Sequence, residues 1–357
     1  MASVAQPKTR SRTGGAAVPL DELDKRLLNL LQGSFPLEPR PYARVAELAE
    51  VPEDDVLRRT RRLLDERIIR QITPIFDTRV LGYSSMLVAA KVDAEHPHRA
   101  AQVINAHPGV SHNYLRNHDF NLWFTIATEP DSKLGLEGTL DVLAAEAGAE
   151  SVRMLPTLRL FKIRMDLEME GGTENLSAEG VVEEPKDPTP VELSELDVSV
   201  IRELQGDMPV AFEPYAPAAA RIGMSVDALL EHLESMRERR ALRRVAAILF
   251  HRRAGFSANG MGVWKVPDDQ IMEIGPRMAA FRGVSHCYQR PTYEDWPYSV
   301  FTMAHGRSKD ECDSVLDAIA EGTGIHERST LYSSTEFKKI RLLYFTEDFK
   351  RWEAERV

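Results

Sequence analysis

The chain has 357 residues, of which 43% are hydrophobic, and a formal net charge of -10 at pH 7. This length predicts about two domains, and the acidic balance disfavours the non-specific nucleic-acid binding that depends on a basic surface. The sequence has no apolar run of the length that spans a membrane, and its two cysteines offer neither a disulfide framework nor metal-site spacing. A reducing cytoplasm is therefore the expected compartment.

The chain opens with a basic segment, residues 1–19, that lacks the apolar centre of a secretory signal and predicts a disordered arm. From Leu20 the sequence reads LDELDKRLLNLLQGSFPLEPRPYA, and it returns from Leu193, 173 residues later, as LSELDVSVIRELQGDMPVAFEPYA. Two later blocks also return: GVSHNYLR (109–116) as GVSHCYQR (283–290), and FKIR (161–164) as FKKIR (337–341). The chain therefore contains two copies of one unit, and we expect a pseudo-two-fold arrangement.

Each copy begins with three predicted helices and a β-rich segment. In the first copy, apolar residues at helical spacing predict helices over 21–31, 43–49 and 53–66, the last beginning at Pro52. RIIRQITPIF then predicts strand structure. The second copy repeats the pattern, with helices over 195–204, 217–222 and 226–239 before ALRRVAAILF. Three short helices followed by a strand pair are the outline of a winged helix-turn-helix.

The rest of each copy alternates strands and helices. The first copy has the strand SSMLVAAKV, a helix over 98–106, a hairpin of GVSHNYLR and NLWFTIAT, a helix over 134–147 and a final strand RMLPTLRLFKI. The order βαββαβ is ferredoxin-like. The second copy repeats it with GMGVWKV, GVSHCYQR, YSVFTMAH and a last strand from Arg328. The predicted fold class is α+β, a tandem repeat of a winged helix-turn-helix and a ferredoxin-like domain.

An acidic segment separates the two copies. Residues 168–192 contain eight acidic residues and one lysine, with several glycines and prolines, which predicts a stiff, self-repelling linker. The predicted domains are therefore a disordered arm (1–19), winged helix-turn-helix modules (20–75 and 193–249), ferredoxin-like domains (76–167 and 250–357) and the acidic linker (168–192).

This plan resembles that of the Lrp/AsnC transcription regulators, and two blocks are more specific. GYSSMLVAAKV with GVSHNYLRNHDFNLWFTIAT is similar to the A or D type of siroheme decarboxylase subunit. FHRRAGFSANGMGVWKV with GVSHCYQRPTYEDWPYSVFTMAHG is similar to the B or L type. The tandem therefore resembles the fused siroheme decarboxylases of the NirD–NirL kind, over about residues 20–165 and 193–345.

The resemblance implies a substrate and a reaction. Enzymes of this kind remove carbon dioxide from the acetate groups at C12 and C18 of siroheme. The product, 12,18-didecarboxysiroheme, leads to d1-type haem or, by an alternative route, to haem. No added cofactor is implied, because the iron arrives in the substrate. Paralogous decarboxylase subunits or self-association are the implied partners, since related enzymes combine such subunits.

Siroheme carries eight carboxylates on a flat, largely apolar macrocycle, so its site needs cations, apolar walls and proton donors. Arginine suits carboxylates because its planar fork binds both oxygens. The second copy supplies this mixture. The candidates there are His251, Arg252 and Arg253 in HRRAGF, His286, Tyr288 and Arg290 at alternating positions in SHCYQR, Tyr298 in the next loop, and Trp264 as a wall for the macrocycle.

The reaction requires a proton at the methylene carbon, for which histidine or tyrosine is the natural general acid. The predicted catalytic residues are His286, His251 and Tyr288, and either histidine is also a candidate axial ligand of the substrate iron. No metal site built from protein groups alone is predicted. Carboxylate binding is assigned to Arg252, Arg253 and Arg290 and, in the first copy, to His112, Tyr114, Arg116 and His118.

Several candidates also have a structural interpretation. His286 fits a strand histidine paired with a neighbour, and Trp264 fits a core residue. Trp296 and Tyr293 fit packing or subunit-interface positions, and His118 fits the cap of a hairpin.

Two other functions compete with the decarboxylase. The third helix of each winged module carries arginines that would suit phosphate contacts in a DNA-binding regulator; they are Arg58, Arg59, Arg61, Arg62, Arg237, Arg239 and Arg240. Two unlike modules on an acidic chain fit a symmetric operator poorly, so DNA is not an expected partner, and neither is a membrane. A sensor that holds a tetrapyrrole without chemistry is the other alternative.

Overall fold

The structure, a computed structural model, describes residues 20–33, 35–163, 189–249 and 258–357. The first copy contains α1 (Glu22–Gly33), α2 (Pro41–Ala49), α3 (Glu53–Asp65), β1 (Ile69–Phe76), β2 (Ser84–Lys91), α4 (Pro97–Ala106), β3 (His112–Arg116), β4 (Leu122–Thr128), α5 (Gly135–Ala147), β5 (Ser151–Leu155) and β6 (Arg159–Ile163). The predicted arm and most of the predicted linker lie outside the described residues.

The second copy repeats this order and adds a helix. It contains α6 (Glu195–Leu204), α7 (Ala216–Ile222), α8 (Val226–Glu238), β7 (Leu242–Leu249), β8 (Ala258–Trp264), α9 (Ile271–Ala279), β9 (Val284–Gln289), β10 (Val300–Gly306), α10 (Lys309–Thr323), β11 (Arg328–Lys339) and α11 (Glu347–Ala354). The α+β tandem predicted from the repeat is confirmed.

The strands that follow the helical modules pair with each other. β1 and β7 form a two-stranded antiparallel sheet in which Ile72 lies opposite Ala247. The prediction of a strand pair inside each winged module is therefore wrong. Within the described residues each module supplies one strand, and the backbone groups of that strand find their partners in the other copy. The apolar sides of both strands enter one core shared by all six helices of the two modules.

The other nine strands form one sheet in the order β5-β2-β4-β3-β11-β8-β10-β9-β6. The first half-sheet, β5-β2-β4-β3, and the second, β11-β8-β10-β9, each have the ferredoxin-like strand order. The two are joined by exchange: residues 328–332 of β11 pair with β8 in their own copy, and residues 333–339 pair with β3 of the first copy.

The first copy makes the same exchange with a broken strand. The segment 153–163, predicted as a single strand, divides after Leu155: β5 pairs with β2 of its own copy and β6 with β9 of the second. Pro156 follows β5 immediately, and proline has no N–H for a strand ladder. Because β5 and β6 are consecutive in the chain but lie at opposite ends of the sheet, the sheet curves back on itself and the half-sheets face each other.

Apolar clusters fill the space on both sides of each half-sheet. Between the half-sheets lies an aromatic cluster that includes Trp123, Trp296 and Phe301. The outer face of the first half-sheet packs against α4 and α5, and the outer face of the second packs against α9 and α10.

Helix α11 belongs to the second copy but covers the first. Its Trp352 lies in the outer core of the first half-sheet, with its ring centroid 4.5 Å from that of His107. Glu353 accepts hydrogen bonds from the Ser132 hydroxyl at 2.7 Å and from the Leu134 N–H at 2.9 Å, just before α5. The copies are thus interlocked by α11 as well as by their exchanged strands.

The exchanged strand β6 docks through a single aromatic side chain. Phe161 of β6 is buried against Gly275 of α9, and a Cβ placed on Gly275 would lie 2.4 Å from the Phe161 ring. The absence of a side chain at Gly275 therefore allows a strand of one copy to pack on a helix of the other.

We expect Gly275→Ala to lower the free energy of unfolding by about 1–3 kcal/mol, because the added methyl group overpacks this contact. The matched control is Gly138→Ala in α5, where the nearest atom to an added Cβ is 3.5 Å away. Since alanine is the better helix former, this control should be neutral or stabilising by up to about 1 kcal/mol. Urea unfolding of both variants measures the difference, and equal effects would contradict a specific packing role for Gly275.

Candidate functional site

The two SH-x-Y-x-R blocks form β3 and β9, which lie in equivalent places in the two half-sheets. Alternate residues of these strands face the covering helices. The Asn113 side chain donates a hydrogen bond to Asn105 of α4, and the Cys287 thiol donates one to the Gly275 carbonyl of α9. Because successive side chains point to opposite faces of a strand, the His, Tyr and Arg of each block share the inner face.

The structure brings these three side chains together in each copy. In the second copy, the rings of His286 and Tyr288 are 6.0 Å apart and nearly parallel, and the Arg290 guanidinium lies 4.8 Å from the Tyr288 ring. The corresponding distances in the first copy are 6.2 Å and 5.8 Å. We call these two sets the first and second His–Tyr–Arg columns.

Burial sets the protonation of the second column. Burial, with a smaller contribution from Lys162, lowers the pKa of His286, and burial raises the pKa of Tyr288. The imidazole is therefore neutral and the phenol protonated near neutral pH. A neutral imidazole can bind a metal or accept a proton, while a buried phenol can donate a hydrogen bond.

The arginine of each column reaches across to the other copy. Arg116 donates from Nη1 to the Leu331 carbonyl of β11 at 2.9 Å, and Arg290 donates to the Leu155 carbonyl of β5. Burial lowers the pKa of each guanidinium to about 10, so both stay charged at pH 7. Within the described part of the chain, the buried Nε of each arginine has no hydrogen-bond partner. Both arginines thus join the copies, and their role as carboxylate clamps stays a prediction.

His118 and Tyr298 meet at Trp296 between the half-sheets. The centroids of His118 and Tyr298 lie 5.1 Å and 5.0 Å from that of Trp296. Nδ1 of His118 accepts a hydrogen bond from the Phe120 N–H at 3.0 Å, which matches the interpretation of His118 as a hairpin cap. Trp296 is fully buried, as its interpretation as a packing residue requires.

Two groups of predicted site residues have other placements. Trp264 is fully buried in the core beneath α9 and α10, and its Nε1 donates to Thr302 Oγ1 at 2.8 Å. This placement favours the core interpretation of Trp264 over that of a wall for a macrocycle, which needs an exposed face. His251, Arg252 and Arg253 lie outside the described residues.

The structure also shows polar residues that sequence reasoning missed. Ser285 Oγ lies 2.7 Å from His286 Nδ1 and 2.5 Å from His305 Nε2, and His305 Nδ1 lies 2.7 Å from Asn259 Oδ1. His305 corresponds to Ala127 of the first copy, because the His305 N–H bonds to the Gly283 carbonyl and the Ala127 N–H bonds to the equivalent Gly109 carbonyl. The available signal was the histidine that ends YSVFTMAH, because NLWFTIAT contains none.

Most of the arginines that would suit phosphate contacts are paired within the protein. Asp24 of α1, which is buried, forms ion pairs with Arg59 at 2.8 Å and Arg62 at 2.5 Å on α3. Its counterpart Asp197 on α6 pairs with Arg239 at 2.6 Å. Other arginines proposed for phosphate contacts are also engaged by the protein; these are Arg58 with Asp55, Arg237 with Glu234, and Arg61 with the carbonyl of Val210. The geometry therefore does not favour a DNA interface.

Residues 20–33, 35–163, 189–249 and 258–357 contain no group of three or more His, Cys, Asp or Glu that could hold a metal ion. The helices in these ranges are also too short or too polar to cross a bilayer.

Two protein families match this sequence, and each matches it twice. The AsnC-like ligand binding domain matches residues 80–162 and 253–338. The siroheme decarboxylase NirDL-like HTH domain matches residues 24–70 and 197–243. The tandem repeat seen in the sequence is therefore a repeat of both domains.

Curated relatives resemble the chain as a whole and in halves. The siroheme decarboxylase of Hydrogenobacter thermophilus is 40% identical over 337 residues, which are 94% of this chain and 99% of that protein. The siroheme decarboxylase beta subunit of Methanosarcina barkeri is 39% identical over 41% of this chain and 97% of that protein. The alpha subunit of Desulfovibrio desulfuricans is 38% identical over 47% of this chain and 95% of that protein.

Solved structures agree with the sequence relatives. A crystal structure of the siroheme decarboxylase NirDL superimposes with a TM-score of 0.77 and 36% identity, covering 94% of this chain and 98% of that one. A second crystal structure, of NirDL in complex with an iron-uroporphyrin III analogue, gives a TM-score of 0.76 and 35% identity over the same shares.

The buried carboxylate of Asp197 generates a prediction about stability. Burial alone would raise its pKa, but hydrogen bonds from Arg239 and Ser194 outweigh burial and hold the pKa at about 2. Because this lies below the ordinary value of about 3.9, the carboxylate stabilises the fold above about pH 4, and this stability is lost as the pH falls towards 2.

We expect Asp197→Asn to lower the free energy of unfolding at pH 7 by about 3 kcal/mol, because it leaves Arg239 without its buried partner. The deficit relative to the unsubstituted protein should be constant down to about pH 5 and shrink below pH 4. Urea unfolding at several pH values measures it. Asp141→Asn, at an exposed position in α5, is the control and should stay within about 0.5 kcal/mol. A deficit independent of pH would contradict the assigned role.

Proposed function

The chain belongs to the siroheme decarboxylases of the NirDL type, and from this membership we propose that it is a carboxy-lyase acting on the C12 and C18 acetate groups of siroheme. The product would be 12,18-didecarboxysiroheme, a precursor of d1-type haem or, by an alternative route, of haem. The observation that carries the proposal for a site is the pair of His–Tyr–Arg columns on the inner faces of the two half-sheets.

Cations lie near both columns, together with the carboxylate of Glu336 at the first, although the chain as a whole is acidic. Burial is the main cause that lowers the pKa of His112, and the nearby charges of Lys339 and Arg70 lower it further. Near Tyr288, the charges of Arg290 and Arg79 oppose the rise in pKa that burial causes. A substrate with eight carboxylates requires such local positive charge, and in a partly buried site each charge counts for more than in water.

Arg70 gives the first winged module a function in this site, and Arg79 lies just beyond that module. Arg70 lies in β1, and Arg79 lies in the turn that follows β1. The first module thus contributes the cation of Arg70 through β1, while several arginines of the third helices pair with carboxylates. We infer that the helix-turn-helix units support the substrate site rather than bind nucleic acid.

The reaction breaks the bond between the acetate methylene and its carboxylate, so that carbon dioxide leaves and its bonding electrons pass into the macrocycle. The methylene carbon then gains a proton. We propose that His286 and Tyr288 act at this centre, His286 as proton donor or axial ligand of the substrate iron and Tyr288 as a further donor. Binding of the polyanionic substrate would raise the pKa of His286 from its lowered value.

The remaining predicted residues would hold the carboxylates that do not react. We propose this role for Arg290 and Tyr298 in the second copy, with Arg252 and Arg253, which precede β8 in the sequence. His251, also in that segment, is proposed with His286 as proton donor or axial ligand of the substrate iron. In the first copy we propose that the carboxylates are held by His112, Tyr114, Arg116 and His118. Fixing these carboxylates orients the reacting acetate, and excluding water from it favours the loss of its charge.

We also propose that no cofactor is needed beyond the iron-bearing substrate.

Relatives made as separate alpha and beta subunits resemble halves of this chain, so we propose that it self-associates or joins paralogous subunits. Its two cysteines are free and buried, which agrees with the reducing cytoplasm that we propose as its compartment.

Anaerobic incubation of the purified protein with siroheme, followed by mass measurement of the tetrapyrrole, tests the function. We expect a loss of two molecules of carbon dioxide from the substrate. Tight binding with an unchanged mass would instead indicate a sensor. A chain that neither binds siroheme nor changes its mass, but retards DNA at low salt, would indicate a regulator.

The importance of the second column is tested by comparing equivalent substitutions. We expect His286→Ala to lower kcat at least about 100-fold, the range found when a group acting at the reacting centre is removed. His112→Ala should act mainly by raising KM, because His112 is proposed to hold carboxylates. Steady-state kinetics with siroheme separates the two effects. Full activity of His286→Ala would contradict the assignment, as would a loss of kcat confined to His112→Ala.

A further inference from the structure

The second His–Tyr–Arg column ends in a chain of hydrogen bonds that crosses three strands. It runs from Asn259 on β8 through His305 on β10 to Ser285 and His286 on β9, with separations of 2.7, 2.5 and 2.7 Å. Each link joins one polar side chain to the next, so the hydrogen positions along the chain depend on one another.

The direction of this chain is set at Asn259. The Asn259 carbonyl oxygen only accepts, so Nδ1 of His305 carries the hydrogen that bonds to it. When His305 is neutral, as at mildly alkaline pH, its Nε2 is an acceptor. The Ser285 hydroxyl then donates its one hydrogen to this nitrogen at 2.5 Å rather than to the Met303 carbonyl, which lies farther away at 3.5 Å. The Ser285 oxygen must therefore accept from Nδ1 of His286. This leaves Nε2 of His286 without a hydrogen and with its electron pair available.

We propose that Asn259 and His305, through Ser285, fix His286 in the tautomer that presents the Nε2 electron pair to the substrate. The inference rests on the proposed function of this site and refines it. Of the two roles open to His286, the fixed tautomer fits a ligand of the substrate iron or a proton acceptor, and not the proton donor. Asn259 and His305 are positioning residues, of the kind that orient histidine ligands at metal sites.

The first copy lacks this device. Ser111 Oγ lies 3.0 Å from His112 Nδ1, as in the second copy, but its other partner is Thr125 Oγ1 at 2.8 Å. Two hydroxyls can each donate or accept, so they impose no direction. The positions of His305 and Asn259 are taken by Ala127 and Ser85, which pair across β4 and β2 in the same way. The fixed tautomer therefore belongs to the second copy alone among the two described columns.

Nitrogen NMR tests the tautomer directly, without siroheme. In protein labelled with ¹⁵N-histidine at mildly alkaline pH, long-range ¹H–¹⁵N correlations distinguish a hydrogen on Nδ1 from one on Nε2, and His286→Ala assigns the signal. We expect the Nδ1–H form for His286, and a shift to a mixture of forms in Ser285→Ala and Asn259→Ala. Ser111→Ala, the control in the first copy, should leave the His286 signal unchanged. An Nε2–H form in the unsubstituted protein would overturn the proposal.

Kinetics and spectra then test the consequence for the reaction. We expect Asn259→Ala to lower kcat about 10–100-fold with little change in KM, the usual effect of losing a group that orients a metal ligand. The absorption spectrum of bound siroheme should change with it. Asn259→Asp keeps the acceptor for His305 and should restore most of both properties. Because Asn259 is exposed, these variants should fold normally, as thermal unfolding will show.

The two proposals fail in different ways. If the unsubstituted protein does not decarboxylate siroheme, the proposed function fails, while the NMR measurement still decides the tautomer. If siroheme is decarboxylated but Asn259→Ala retains full kcat and an unchanged spectrum, the positioning role of Asn259 and His305 is wrong.

Discussion

The exchange of the last strand between the copies is the constraint on which the rest of the structure depends. β3 and β9 would otherwise end their half-sheets with unpaired N–H and C=O groups, which must find partners inside a protein. They find them on β11 and β6 of the opposite copy. This pairing curves the nine strands into one sheet, turns the inner faces towards each other, and places each His–Tyr–Arg column at a joint between the copies.

Much of the fold could be predicted from the sequence because its signals are local. Apolar spacing marked the helices, and the repeat at 173 residues gave their order twice. The pairing of β1 with β7 and the division of the segment 153–163 could not be predicted. Both concern backbone hydrogen bonds between residues far apart in the chain, and such bonds leave little trace in side-chain patterns.

The candidate site also has a part that could be predicted from local sequence and a part that could not. The alternation of His286, Tyr288 and Arg290 follows from the period of a strand, so their common face was predictable. His305 and Asn259 were missed because they belong to the site through neighbouring strands, whose register the sequence does not show. Trp264 is the type of residue that could form the wall of a ligand site. It lies, however, on the side of β8 that faces the helices, and its side chain is fully buried there.

The position of helix α11 shows what the covalent fusion of the two copies contributes to their association. It lies at the end of the second copy yet covers the outer face of the first, and β6 and β11 likewise serve the opposite copy. These contacts would persist if the halves were separate chains, so covalent linkage contributes a high effective concentration of one half around the other. It also guarantees equal synthesis of both. Separate genes would need matched expression, because an unpaired half would expose strand edges and apolar surface that promote aggregation.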